Sequence, residues 1–228
     1  LRLEALYDGE VTYHDQQLGL FLGQLRELGR LDDTLVVVTA DHGEEFFDHG
    51  SVGHGHTLFQ ELLHVPLFLR YPAAVPAGAR VRETVGLVDV LSTVVELAGL
   101  PALRDVDGHS LVPVLYGDPP AGPIVAFSEF LDDRRTVRAG RWKYVQRGIT
   151  ETLFDLAADP DERRDLSEEH PIATRYTRAL LAQFLGAPAK GNWTDAAIEA
   201  PGAPRHRHEE AQLDEATRAQ LRALGYAN

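Results

Sequence analysis

At 228 residues, with 44% hydrophobic content, the chain suits one sizeable α/β domain or a core with a small appendix. Thirty-five acidic residues against 22 basic ones, a formal net charge of -13, speak against a binder of phosphate backbones, so no nucleic-acid partner is expected. Cys is absent, which excludes disulfides, thiolate metal sites and Cys nucleophiles within this span. Met is absent too, so residue 1 is not a translation start, and the chain reads as a fragment or processed product. No apolar run of about 18 residues occurs, hence no membrane span is expected. The chain reads as soluble, with its compartment, cytoplasmic or periplasmic, left open.

Apolar residues at helical spacing over residues 2 to 28, among them Leu6, Tyr7, Val11, Leu18, Phe21 and Leu25, predict an amphipathic helix ending near Gly29. Residues 34 to 39 form a β-branched, nearly uncharged run, expected of a strand covered on both faces in a parallel sheet. A polar loop over 41 to 57 follows, then a second strand from Val65 to Tyr71 bounded by Pro66 and Pro72. Residues 86 to 99 predict a helix stopped by Gly99 and Pro101, and HSLVPVLYG a short helical segment. Pro119, Pro120 and Pro123 read as a linker, followed by peripheral antiparallel strand candidates at 124 to 130, 136 to 146 and 152 to 156. A final amphipathic helix is expected over 171 to 185. The resulting expectation is an α/β fold: a partial, mostly parallel sheet with flanking helices over 1–118, a small antiparallel α+β subdomain over 119–185, and a tail over 186–228.

Chemistry concentrates where the first strand ends, because ligands of open α/β sheets collect beyond the carboxyl ends of strands. Asp41 and His42 stand there, followed by Glu44, Glu45, Asp48, His49, His54 and His56. A carboxylate at the end of a buried strand is costly unless paired or bound to a cation. Successive strand side chains point to opposite faces, so Asp41 and His42 share an ion only if the backbone turns, and Gly43 permits that. The imidazole tilts the choice of metal from calcium toward manganese, zinc or magnesium. Asp41 has a second reading as a helix N-cap, with Glu44 at capping-box spacing. His49 and His56 are read evenly between a site role and a solvated loop. His64 is read as structural, and His14, His109 and His170 have no neighbours that suggest chemistry.

The string TLVVVTADHGEEFFDHGSVGHGHTLFQELLHVPLFLRYP resembles the carboxyl-terminal half of the sulfatase family, within the alkaline phosphatase superfamily. YDGEVTYHDQQLG, VGLVDVLSTVVELAGL, DGHSLVPVLYG, the VRAGRWKYV hairpin and LFDLAADPDERRDL extend the resemblance, in order, over most of residues 6 to 185.

The resemblance implies that Asp41 and His42 are two ligands of one divalent metal ion: calcium, manganese, magnesium or zinc. It also places His54, thirteen positions after Asp41, where family members commonly carry a Lys contacting the transferred group or leaving oxygen. His54 is thus the expected catalytic residue, with His49 and His56 as supporting residues around the site. The family nucleophile, a formylglycine made in a Cys/Ser-x-Pro-x-Arg motif, has no counterpart here: Ser51, Ser92, Ser110, Ser128 and Ser167 all lack that context. The implied partners are a missing amino-terminal half of the same protein and a small anionic ester. The complete protein is expected to hydrolyse sulfate esters, this piece alone being inactive. Phosphonate monoesters or phosphodiesters are the alternative substrates, suggested by His42, and a catalytically inactive structural or binding fragment is the non-enzymatic alternative.

Overall fold

A computed structural model of the chain describes residues 2–104, 106–119, 125–130 and 134–186. The expected tail beyond 186, with His206 and His208, and the linker prolines Pro120 and Pro123 lie outside the described residues.

The helical periodicity at the start becomes α1, Arg2–Glu27, closed by Gly29 in the left-handed region at φ 64°. Its apolar stripe packs on little: none of its residues is buried, and Leu6, Leu20 and Phe21 are all more than half exposed. One contact is specific, an edge-to-face pair between Tyr7 and Phe46 at 5.2 Å.

The chain then forms β1, Val36–Thr39, and returns through β2 (Glu45–Phe46), β3 (Val52–Gly53) and the single-turn helix α2 (Gln60–Leu63) to β4, Leu67–Arg70. Here the mostly parallel sheet must be corrected. β1 pairs antiparallel with β4, Val36 opposite Arg70, and every strand pair among the described residues is antiparallel. A parallel return needs a crossover that carries the chain to the other end of the sheet. Residues 40–66 instead stay at the carboxyl end of β1 as a hairpin and a single turn, so β4 runs back alongside. β1 is half-buried rather than covered on both faces, its uniform apolarity notwithstanding. The fold remains α/β in its element content.

Two further helices, α3 (Asp89–Leu97) and α4 (Val112–Leu115), follow. They are joined through Thr93, whose buried hydroxyl accepts the Leu111 N–H at 2.9 Å.

The next sheet has four strands, not three: β5 (Val125–Phe130), β6 (Arg134–Ala139), β7 (Trp142–Arg147) and β8 (Thr150–Asp155), an antiparallel meander in chain order. The strand candidate over 136–146, whose VRAGRWKYV the family resemblance marks as a hairpin, is that hairpin: β6 and β7 turn at Gly140, where φ is 60°. Alternation gives this sheet two different faces. On one, Val137, Tyr144 and Leu153 pack with Leu181 of α5, Pro171–Gly186, and Phe127 stacks on Phe184 at 4.2 Å. On the other, Lys143, Phe154 and Arg138 meet the segment leading from β3 into α2: Phe154 meets Phe59 edge-on at 6.1 Å, and Arg138 Nη1 donates to Gln60 Oε1 at 3.2 Å. The loop that carries the histidines therefore rests on a rigid sheet.

Candidate functional site

The site is built on one close backbone approach. Gly43 donates its N–H to the Leu62 carbonyl at 2.9 Å, and a Cβ at Gly43 would lie 1.9 Å from the Glu61 carbonyl oxygen. Glycine is required here for space rather than for an unusual φ. The contact pins the end of β1 to α2 and turns Asp41 and His42 out of the strand.

Asp41 Oδ1 accepts the His42 N–H at 3.0 Å, and Oδ2 lies 3.9 Å from His42 Nε2. His42 Nδ1 donates to the Gly43 carbonyl at 2.8 Å, which selects the tautomer whose Nε2 carries a lone pair. Oxygen and nitrogen donors thus face a common space. No helix starts at Asp41, so the N-cap reading falls away, and the Asp41 side chain is 78% exposed rather than buried at a strand end. Its charge is tolerated by water, and the desolvation argument for a bound cation does not apply. The pair of donors does fit a divalent ion, a carboxylate oxygen beside an imidazole whose Nδ1 is held by a backbone carbonyl. Among the described residues no group of three or more His, Cys, Asp or Glu side chains gathers into a metal site, so the donors stop at these two.

His54 lies over His42, ring centroids 4.1 Å apart and planes inclined by 31°. Its Nδ1 is 3.2 Å from Glu44 Oε2, so the carboxylate fixes this ring as the Gly43 carbonyl fixes the other. Both imidazoles are held by Nδ1.

The remaining histidines are tied elsewhere. His56 Nε2 lies 3.1 Å from Glu45 Oε2, and His49 Nε2 lies 3.3 Å from Glu61 Oε1 with its ring stacked on Phe59 at 3.5 Å. Among the described residues no hydrogen bond, ion pair or ring contact joins either of them to Asp41 or His42. Glu45 is fully buried, and burial alone would push its carboxyl up. N–H groups of Ser51 and His49, with His56 and Thr57, outweigh that and hold it below the usual range. Glu61 goes the other way: burial raises it, against the pull of its own backbone N–H and of His49. His64 is exposed at the end of α2, where its backbone N–H caps the helix on the Gln60 carbonyl at 2.7 Å.

Sequence reasoning missed Glu44 and Glu45 as partners of His54 and His56. The signal existed in EFFDHGSVG, a hairpin with its turn around Gly50, whose register sets Glu45 opposite Gly53 and so Glu44 beside His54. It also missed Lys143 and Glu162, a fully buried pair at 2.6 Å beneath this loop. Glu162 Oε2 in turn accepts the Gln60 N–H at 2.6 Å.

The chain as a whole has relatives. The sulfatase family profile matches residues 2–100. Arylsulfatase K of Danio rerio is 30% identical over 200 residues, covering 82% of this chain and 38% of that protein. Choline-sulfatase of Rhizobium meliloti (strain 1021) is 33% identical over 175 residues, covering 73% of this chain and 33% of its own. Among solved structures, the phosphonate monoester hydrolase of Agrobacterium radiobacter superposes with a TM-score of 0.65 at 30% identity, over 75% of this chain and 39% of that one. The chain belongs to the sulfatase family. It spans less than two fifths of the length of the curated relatives it matches.

Proposed function

We propose that the complete protein carrying this chain is a metal-dependent hydrolase of sulfate esters. The observation that carries the reading is the space between Asp41 Oδ2 and His42 Nε2, 3.9 Å apart, with the His54 ring stacked beside it. Asp41 and His42 hold one divalent cation, calcium, manganese, magnesium or zinc, together with ligands from residues outside this chain. Bound there, the ion neutralises charge that grows on the non-bridging oxygens of the ester. His54, its Nδ1–H held by Glu44, turns its Nε2 toward the leaving oxygen; entering the step with both ring nitrogens protonated, it gives the Nε2 proton to that oxygen and is left as the neutral ring. His49 and His56 support the loop around these groups. The nucleophile, a formylglycine, belongs to the remainder of the complete protein, which also covers the exposed apolar stripe of α1. On this reading residues 1–118 are part of the catalytic core, 119–185 a small subdomain that braces the histidine loop, and the chain alone is inactive.

A second reading rests on His42 and on the likeness to a phosphonate monoester hydrolase at 30% identity. It keeps the same residues and exchanges sulfur for phosphorus. Parallel assays of the complete protein on an aryl sulfate, an aryl phosphonate monoester and an aryl phosphodiester decide between them. A kcat/KM highest for the sulfate supports the first reading. A preference for either phosphorus ester supports the second, and no turnover of any of the three contradicts both.

A further inference from the structure

His56 is tied to the fold through both of its ring nitrogens. Both ring nitrogens meet acceptors: Nε2 lies 3.1 Å from Glu45 Oε2, and Nδ1 lies 3.1 Å from the His54 carbonyl oxygen. A carbonyl oxygen has no proton to give. The Glu45 carboxylate has none either, since its ring of N–H and hydroxyl donors overrides burial and keeps it ionised. A neutral imidazole has a single N–H and can serve just one of these two acceptors.

We propose that His56 stands as an imidazolium in the working state of the site and acts as a positioning residue, one N–H anchored on buried Glu45 and the other holding the backbone carbonyl of His54. The inference rests on the proposed role of His54 at the leaving oxygen. His54 needs such a hold. Gly53 and Gly55 flank it with φ of 94° and 80°, so neither neighbour restrains the backbone by a side chain. Glu44 fixes the ring of His54 at Nδ1, but its carboxylate leaves the peptide free to shift along the loop. His56 closes that freedom, because Glu45 is itself pinned by the His49 and Ser51 N–H groups at 3.2 and 2.9 Å. A charge-assisted bond is the stronger kind, and here it transmits the rigidity of a buried carboxylate to the reacting residue. The charged and titratable groups around His56 are Glu45 on β2 and, across the His54 peptide and ring, Glu44 and His42.

The test uses the complete protein with 15N in its histidine rings, the His56 signals being identified by their loss in His56→Gln. Both ring nitrogens of His56 are expected to carry protons at pH 7. His56→Gln, which offers its amide to Glu45 but not to both acceptors, is expected to lower kcat roughly tenfold while KM stays within about twofold. Its melting curve is taken alongside, so that a loss of folding is not read as a loss of positioning. A neutral His56 ring at pH 7 in the wild-type protein overturns the proposal without any variant. So does a folded His56→Gln enzyme with unchanged kcat. His54→Ala separates the two levels: full activity in that variant removes the role assigned to His54, whereas the ring protonation of His56 is read independently of it.

Discussion

His42 and His54 stack with ring centroids 4.1 Å apart although twelve positions separate them in the chain. Each ring is held by its Nδ1, one on the Gly43 carbonyl and the other on the Glu44 carboxylate. Two imidazoles fixed through the same nitrogen turn the same atom outward. On the proposed function the stack sets a cation ligand beside a proton donor, and the consequences can be separated by substitution.

Replacing His54 by Ala removes the proposed proton donor but leaves Asp41 and His42 in place. We expect kcat of the complete protein to fall by about 10²–10⁴-fold on esters with poor leaving groups, and much less on those with good ones. Equal losses across a leaving-group series would argue that His54 binds substrate without donating a proton. His54→Lys restores charge at this position and should recover part of the rate.

Gly43→Ala tests the backbone approach on which the site is built. The added Cβ meets the Glu61 carbonyl at 1.9 Å, and backbone on both sides leaves no flexible group to yield. We expect a loss of more than about 2 kcal/mol in stability, seen as a lowered melting temperature, with the site disturbed in whatever remains folded. A variant as stable as the parent would show that the end of β1 and α2 are not pinned as described.

Glu45 makes acid stability a property of the loop. Its folded carboxyl titrates below its unfolded value of about 4.3, so the stabilisation is fully present above that value. As pH falls through the lowered folded value, Glu45 takes up a proton and the contribution disappears. We expect the wild type to lose stability progressively below about pH 4.3, and Glu45→Gln to be less stable at neutral pH with a shallower acid dependence. Chemical denaturation at pH 7 and at acid pH checks both; parallel curves for the two proteins would exclude Glu45.

The pair beneath the loop predicts a non-additive result. Burial lowers the Lys143 ammonium and the Glu162 carboxylate raises it, and the two lie 2.6 Å apart with almost no exposure. Lys143→Met leaves an unpaired buried carboxylate and should cost about 3–5 kcal/mol. Adding Glu162→Gln keeps an oxygen for the Gln60 N–H and removes the stranded charge, so the double variant should be more stable than Lys143→Met alone. Denaturant midpoints measure the difference, and a simple sum of the two single effects would contradict the coupling.

What the sequence disclosed followed from periodicity. The helices at Arg2–Glu27, Asp89–Leu97 and Pro171–Gly186 and the strands at Val36–Thr39 and Leu67–Arg70 all lie where local patterns put them. Strand direction was not legible, because the apolar run around Val37 reads alike whether its neighbour is parallel or antiparallel. Of the site, Asp41 and His42 stood out by residue type at a strand end and His54 through the family resemblance, and the three lie together. The carboxylates that hold the histidines did not, since Glu44 and Glu45 find His54 and His56 only through the β2–β3 register. Lys143 and Glu162 were hidden for another reason: they lie nineteen positions apart in the chain, Glu162 among charged neighbours, and only the fold buries them together, with the Phe59 ring 5.8 Å from the Lys143 ammonium.

The most direct measurement is the divalent metal content of the complete protein, purified in parallel as wild type, Asp41→Ala and His42→Ala, with folding checked by circular dichroism. About one ion per chain in the wild type, lost together with ester hydrolysis in both folded variants, is the predicted result. Undiminished metal in both variants would contradict the central claim that this carboxylate and this imidazole hold the cation.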